Sequence, residues 1–163
     1  MRKTGLIIFF AVLLAADQIS KLVVQEKMFL YESVTVIPGL FNITYVLNPG
    51  AAFGIFQNQP EIFRRVFFIC VTVLAVILIF VMLRKDLNHR LRSIAYTMVI
   101  AGAIGNLIDR IRVGMVVDFL DFYWKSFHWY TFNVADVCIT VGIGLLLIDM
   151  LFLEKKKSNW RNL

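Results

Sequence analysis

Four long apolar segments dominate the pattern of hydrophobic and polar positions along the chain. Each has 18–22 residues, close to the roughly 20 that a helix needs to cross the hydrocarbon core of a bilayer. They cover residues 5–24, 66–83, 93–111 and 132–153. Segment 66–83 has no charged side chain, and the other three carry a few polar or charged groups. The pattern predicts an α-helical integral membrane protein whose four transmembrane helices form one membrane domain over residues 1–163.

The first apolar segment has a second interpretation. Arg2 and Lys3 are followed by twelve apolar residues, which resembles a cleavable signal peptide. Against this, apolar residues resume after Asp17. Asp17 and Lys21 also form an i,i+4 pair that can neutralise itself within a helix. We therefore expect a retained spanning helix.

The connection between the first two helices, residues 25–65, has the composition of a small sheet. Its stretch 32–47 is rich in β-branched and aromatic residues and is interrupted by Pro38-Gly39. This predicts two short strands or a hairpin-like sheet. A sheet of this kind can lie at the membrane interface but not in the lipid core, where its edge groups would lack hydrogen-bond partners.

Two further connecting segments are expected at the membrane surface. Residues 58–65 contain a proline near their start and two arginines at their end, which predicts a short interfacial helix before the second span. Residues 112–131 are dense in aromatic side chains, which is typical of an aromatic belt at the lipid headgroups.

Composition supports a membrane protein and predicts its orientation. Hydrophobic residues make up 60% of the chain and charged ones 17%, against about 45–50% and 25% in soluble domains. Ten of the 17 basic residues lie on one side of the predicted spans: Arg2, Lys3, Arg84, Lys85, Arg90, Arg92, Lys155, Lys156, Lys157 and Arg161. The positive-inside rule makes that side cytoplasmic, with both termini inside. This asymmetry accounts for the net charge of +6 without a nucleic-acid partner.

The few cysteines and histidines argue against other chemistries. Cys70 and Cys138 each lie inside an apolar run, so a disulfide framework is not expected. His89 and His128 do not form an HExxH motif, so we expect no catalytic zinc. No cofactor is predicted.

Five acidic residues from separate segments fall at one predicted depth, near the outer ends of the helices. They are Asp17, Asp109, Asp118, Asp121 and Asp136. A charged side chain at the centre of a spanning helix costs roughly 2.5–3.5 kcal/mol on insertion scales, so such residues are usually functional. Two carboxyl groups in a low-dielectric pocket tend to share one proton. That state suits amide hydrolysis, because one acid can activate water while the other polarises the carbonyl.

The residues alone leave several alternatives open. Asp17 can be explained by a salt bridge to Lys21. Asp136 can be explained by helix capping, because Asn133 is a good N-cap and an acid three residues later imitates a capping box. Asp118 is no better a candidate than Asp121. A proton-coupled transporter or a structural membrane subunit without chemistry would also carry intramembrane acids.

Five sequence blocks resemble the lipoprotein signal peptidase family, also called signal peptidase II. In chain order they are Asp17-Gln18-Ile19-Ser20-Lys21, Asn48-Pro49-Gly50-Ala51-Ala52-Phe53-Gly54, Gly102-Ala103-Ile104-Gly105-Asn106-Leu107-Ile108-Asp109-Arg110, Val116-Val117-Asp118-Phe119 and Phe132-Asn133-Val134-Ala135-Asp136. They run along the whole chain and include the acids singled out above.

The resemblance implies an aspartic endopeptidase of the bacterial cytoplasmic membrane that removes the signal peptide from prolipoproteins, cutting before a diacylglyceryl-modified cysteine. By motif position, Asp118 and Asp136 match the catalytic dyad. The positions that match residues shaping or supporting the site are Asp17, Lys21, Asn48, Gly50, Asn106, Asp109, Arg110, Asn133 and Ala135.

The resemblance also implies an arrangement of the site and its partners. A small extracytoplasmic β-sheet would form a cradle for the substrate, and the active site would lie near the outer leaflet. Gly50, Ala51 and Ala52 are expected to let their loop approach the substrate closely. The implied partners are the lipidated prolipoprotein, membrane lipid and a globomycin-type inhibitor. The protein is expected to be a monomer.

Overall fold

The computed structural model describes residues 3–50 and 59–153, and its helices confirm the four predicted spans. They are α1 (Lys3–Lys27), α2 (Glu61–Lys85), α3 (Arg90–Arg112) and α4 (Val134–Ile148), the last continued by a π-helical segment, Asp149–Leu153. All four are long and apolar enough to cross a membrane. The first three extend over their predicted segments, and the fourth begins at Val134, two residues after its predicted start. In a membrane an apolar run satisfies its backbone hydrogen bonds internally only as a helix.

Helix α3 is the centre of the bundle. It contacts each of the other three helices, and it has more buried side chains than any of them. It is also the least apolar of the four, which is consistent with a helix that faces protein rather than lipid. Gly102 and Gly142 allow α3 and α4 to pack closely. A Cβ atom added at Gly102 would lie 2.2 Å from the carbonyl oxygen of Ala135.

A four-stranded antiparallel sheet lies at one end of the bundle. Its strands are β1 (Ser33–Ile37), β2 (Phe41–Asn48), β3 (Val116–Trp124) and β4 (Phe127–His128), in that spatial order. β1 and β2 form the predicted hairpin, which turns at Pro38-Gly39, where Gly39 has a φ of +79°. We call this the sheet end of the bundle. It lies where α1 and α3 finish and where α2 and α4 begin.

The sheet extends beyond residues 25–65, where the sequence placed it, because β3 and β4 belong to the connection between α3 and α4. The first four residues of β3, Val116 to Phe119, are all buried. A strand that is buried on both faces lacks the alternation of polar and apolar positions that identifies a strand in a sequence. Val117 and Phe119 pack with Val24 and Tyr45 in a small apolar core.

The predicted interfacial helix over residues 58–65 also needs correction. Glu61 begins α2, and the helix continues without a break through Arg65 to Lys85, so residues 61–65 do not form a separate element. Pro60 precedes the helix, where a missing N–H is tolerated. From Glu61 to Val66 the sequence has no proline or glycine that would separate a short helix from the span. Residue 58, the first of this prediction, lies outside the described residues.

Candidate active site

Strand β3 and the first turn of α4 bring Asp118 and Asp136 to the same cavity at the sheet end. The cavity has a volume of about 710 Å³. It is lined by residues of β2, the connection after it, α3, β3, the segment before α4, and α4: Val46, Leu47, Asn48, Pro49, Gly50, Asn106, Arg110, Val116, Asp118, Trp129, Tyr130, Thr131, Phe132, Asp136, Val137, Thr140 and Val141. The two acids that match the family dyad thus face one shared space.

Asn133 connects the two acids directly. As the N-cap of α4, its Oδ1 accepts the backbone N–H of Asp136 at 3.0 Å, and its own N–H donates to the Asp136 carboxylate at 3.3 Å. Its side-chain Nδ2 donates to Asp118 at 2.6 Å. The capping box suggested by the sequence is therefore formed. It does not exclude a chemical role, because the capped Asp136 still lines the cavity.

Two further asparagines donate to the carboxylate oxygens that Asn133 does not contact. Asn106 on α3 donates from Nδ2 to Asp136 at 2.8 Å. Asn48, at the end of β2, donates to Asp118 at 3.0 Å, and its own Oδ1 accepts the N–H of Gly50 at 3.0 Å. Asp118 thus receives one amide donor on each carboxylate oxygen. Both acids have fixed orientations.

The environment of Asp118 raises its pKa into the neutral range. Its side chain is buried, and desolvation together with the nearby charge of Asp136 raises the pKa of Asp118 to about 7. The hydrogen bonds from Asn48 and Asn133 and the charge of Lys21 oppose this rise. Near pH 7, Asp118 is therefore shared between the protonated and the ionised state, which is the condition for acid–base chemistry.

A fully buried ion cluster lies beneath the two acids. The Nζ atom of Lys21 is 2.9 Å from Asp17, 2.8 Å from Asp109 and 3.0 Å from the side-chain oxygen of Asn106. Lys21 and both carboxylates are no more than 1% exposed. The salt bridge that the spacing of Asp17 and Lys21 suggested is therefore present, with a second acid added from α3.

Each carboxylate of this cluster also binds the backbone next to one of the cavity acids. Asp17 accepts the N–H of Ala135 at 2.8 Å, and Asp109 accepts the N–H of Val117 at 3.2 Å. Ala135 and Val117 immediately precede Asp136 and Asp118. The cluster therefore fixes the backbone that carries both acids.

The other predicted positions lie in or beside the cavity, except Asp121. Arg110 lines the cavity with its guanidinium 5.2 Å from the centre of the Phe68 ring. Gly50 lines the cavity too, whereas Ala51 and Ala52 lie outside the described residues. Asp121 is bonded instead to Thr44 and His128 within the sheet, so the geometry separates it from Asp118.

The sequence interpretation missed several residues of the site. Gln18 donates from its side chain to Asp17 at 3.0 Å and to the carbonyl of Gly105 at 3.1 Å. Val137, Thr140 and Val141 line the cavity along α4. Their spacing of one, four and five residues from Asp136 places them on the same side of the helix, which is the signal that could have identified them.

The fold and this cavity define a class of protein: a polytopic helical membrane protein with paired acids at one end of its bundle. The family model described as Signal peptidase (SPase) II matches residues 9–152. The lipoprotein signal peptidase of Geobacter metallireducens is 48% identical over 149 residues, 91% of each chain, and that of Syntrophus aciditrophicus is 43% identical over 160 residues, 96% of this chain and 99% of the relative.

Solved structures agree with the sequence comparison. A bacterial membrane enzyme that is 32% identical superposes with a TM-score of 0.84, over 97% of this chain and 92% of that one. A second bacterial membrane enzyme, also 32% identical, gives a TM-score of 0.81 over 93% and 95% of the two chains. The chain belongs to the signal peptidase II family, and it is therefore a peptidase of a multi-pass membrane architecture.

Proposed function

We propose that this protein is an aspartic endopeptidase that removes the signal peptide from diacylglyceryl-modified prolipoproteins, cutting before the lipidated cysteine. The observation that carries the proposal is the placement of Asp118 and Asp136 on one cavity, joined through Asn133. Membership in a peptidase family supports a hydrolytic role for the pair. The relatives are lipoprotein signal peptidases, which supports a lipoprotein as the substrate.

The proposed chemistry uses one proton shared by the two acids. The ionised carboxylate takes a proton from water, and the resulting hydroxide attacks the scissile carbonyl carbon. The protonated acid donates a hydrogen bond to the carbonyl oxygen and stabilises the tetrahedral intermediate. Collapse of the intermediate breaks the C–N bond, and the leaving amine takes up a proton from the dyad. The pKa of Asp118, raised to about 7, supports this sharing at neutral pH.

The shape of the cavity supports a substrate that arrives through the membrane. Val137, Thr140 and Val141 continue its lining from Asp136 along α4, into the part of the helix that can span the bilayer. A signal peptide is itself an apolar helix, so its cleavage site can reach the acids while the diacylglyceryl chains remain in lipid.

Charge distribution supports an active site near the outer leaflet. Arg84, Lys85, Arg90 and Arg92 lie around the connection between α2 and α3, at the opposite end of the bundle from the sheet. The positive-inside rule assigns that end to the cytoplasm. We therefore propose that both termini are cytoplasmic and that the sheet end faces outward in the bacterial inner membrane.

The test is cleavage of a diacylated prolipoprotein by the purified protein in detergent. Asp118→Asn and Asp136→Asn are expected to accumulate and insert normally and to stop signal-peptide release. Glu26→Gln is a matched control, because Glu26 is an exposed acid near the sheet end. A wild-type rate from either dyad variant would contradict the assignment and would favour a structural role. Cleavage of an unlipidated precursor at the same rate would contradict the proposed lipid requirement.

Inhibition offers a second test of the same site. A globomycin-type inhibitor is expected to bind the cavity in competition with prolipoprotein. Uncompetitive inhibition would contradict this expectation.

The protein is expected to act as a monomer, so its specific activity should not change on dilution in detergent. Specific activity that falls on dilution would contradict this expectation.

A further inference from the structure

Asp121 is a buried acid that the proposed chemistry does not use. It lies in β3, three residues after Asp118, and is 4% exposed. A carboxylate this deeply buried requires hydrogen-bond donors. It receives them from both sides of the strand: the Thr44 hydroxyl at 3.0 Å and the Asn42 amide at 3.4 Å on β2, and His128 Nδ1 at 2.9 and 3.1 Å on β4.

The contact with His128 supports a very short strand. β4 has two residues, which pair with Tyr123 and Trp124 of β3. A ladder of this length is marginal by itself. The imidazole of His128 also stacks on the Tyr123 ring, with 5.1 Å between ring centres and 12° between planes. The hydrogen bond to a buried carboxylate and the stacking therefore add to the short ladder in holding β4 on the sheet.

The residues directly after β4 form one edge of the cavity. We call Trp129, Tyr130 and Thr131 the rim segment, because all three line the cavity. Trp129 and Tyr130 are 62% and 58% exposed. Aromatic side chains of this kind offer a large contact area with little conformational freedom to lose on binding.

The rim segment is held at both ends by backbone hydrogen bonds to β3. At its start, the N–H of Trp129 donates to the carbonyl of Phe122 at 2.8 Å, next to the Asp121–His128 contact. At its end, Phe132 exchanges two backbone hydrogen bonds with Leu120, at 2.8 and 3.1 Å. The second anchor continues into the N-cap of α4 and so belongs to the site already described. The first anchor has no other assigned role.

From this arrangement we propose that Asp121 and His128 are positioning residues that hold the rim segment against the substrate polypeptide. The inference rests on the proposed function, because it takes the cavity as the substrate site. Loss of the contact frees the start of the rim segment and leaves Asp118, Asp136 and Asn133 in place. Substrate binding is then weakened, and the chemical step is preserved once substrate is bound.

The test compares two substitutions of His128 in the prolipoprotein cleavage assay. His128→Phe keeps the ring that stacks on Tyr123 but removes the donor to Asp121, and His128→Asn keeps an amide donor at the position of Nδ1. His128→Phe is expected to raise KM about fivefold or more with kcat within about twofold of wild type. His128→Asn is expected to lie closer to wild type. Phe127→Leu is the control, because it changes the other residue of β4 and should leave both constants unchanged.

Two additional measurements separate the proposal from a general loss of structure. Asp121→Asn keeps the side-chain shape and is expected to raise KM in the same way. Its thermal unfolding midpoint is expected to stay above the assay temperature, so that the protein is folded when KM is measured. In an Asp136→Asn background, which is expected to bind without cleaving, His128→Phe should weaken prolipoprotein binding by the same factor.

The possible outcomes distinguish the two levels of inference. An unchanged KM for His128→Phe, or a fall in kcat with KM unchanged, would overturn the positioning role while the proposed function stands. If wild-type protein does not cleave the prolipoprotein, the proposed function fails. The binding comparison in the Asp136→Asn background then still decides whether the Asp121–His128 contact holds a binding surface.

Discussion

Replacing Lys21 with methionine tests how the buried ion cluster supports the site. The substitution keeps the length and most of the volume of the side chain but removes its charge. It leaves Asp17 and Asp109 without a counter-ion, although both are at most 1% exposed. Removing one partner of a buried ion pair typically destabilises a protein by about 3–5 kcal/mol, because the remaining charge is uncompensated. At about 2–4 °C for each kcal/mol in a chain of this size, the unfolding midpoint should fall by roughly 6–20 °C.

The same substitution should impair catalysis through the backbone that the cluster holds. Asp17 and Asp109 accept the N–H groups of Ala135 and Val117, so disorder in the cluster would move both dyad residues. The charge of Lys21 also lowers the pKa of Asp118, so its loss should raise that pKa further. We expect a large fall in kcat, with the residual activity shifted to higher pH.

A triple variant separates loss of charge balance from loss of hydrogen bonds. Asp17→Asn and Asp109→Asn, added to Lys21→Met, remove the uncompensated charges and retain acceptor oxygens for the two backbone N–H groups. We expect the triple variant to recover stability relative to Lys21→Met alone, because a neutral set avoids burying an unpaired charge. Lys27→Met, an exposed lysine of the same helix, is the control. Thermal unfolding in detergent is the assay. A Lys21→Met midpoint equal to that of wild type would refute the reasoning.

Three further predictions concern the surroundings of the dyad. The pKa of Asp118 is raised to about 7, so this acid lowers the stability of the fold as the pH rises from about 4 to about 7, and the loss stays constant at higher pH. Asp118→Asn should therefore stabilise the inactive protein by up to about 4 kcal/mol at pH 8 and should give no gain near pH 4. The measurement is the free energy of unfolding at the two pH values, and an equal gain at both would contradict the prediction. A Cβ atom at Gly105 would lie 2.4 Å from the Asp17 carboxylate, whereas Gly144 has open space. Gly105→Ala should thus lower the unfolding midpoint and activity while Gly144→Ala changes neither, and a stable, active Gly105→Ala would disprove the close contact. Asn133→Ser keeps an N-cap acceptor but loses the donor to Asp118. We expect kcat to fall at least about tenfold and the thermal unfolding midpoint to stay nearly unchanged. Full activity would mean that capping is the main role of Asn133.

The helices could be predicted from the sequence because the membrane imposes a length and a composition that no other element satisfies. The position of β3 could not be, since Val116 to Phe119 are buried on both faces and show no period of two. The aromatic residues that follow in β3 suggested a headgroup belt instead. What defines this strand is its pairing with β2, and a single sequence does not show which segments pair.

The choice between Asp118 and Asp121 depends on the same pairing. Both acids lie in β3 with apolar neighbours, so composition does not distinguish them. The register pairs Asp121 with Asn42 but Asp118 with Val46, and it shifts between Ile43 and Val46. The extra residue on β2 changes which side chains meet each acid. Asp118 and Asp121 are three residues apart on β3, so the alternation along the strand directs one to the cavity and the other to donors within the sheet. That alternation becomes usable only once these residues are recognised as a strand.

The location of the site follows from the unequal roles of the four helices. α3 is the least apolar span and is surrounded by the other three, so its Asn106 and Asp109 meet protein donors instead of hydrocarbon. Placed on α2, which has no buried residue, the same side chains would face lipid, where a charged group costs roughly 2.5–3.5 kcal/mol at mid-membrane. The polar cluster therefore requires a central helix and apolar helices that cover it. The cavity is found where that covered helix reaches the sheet and its last polar turn can contact both β3 and the start of α4.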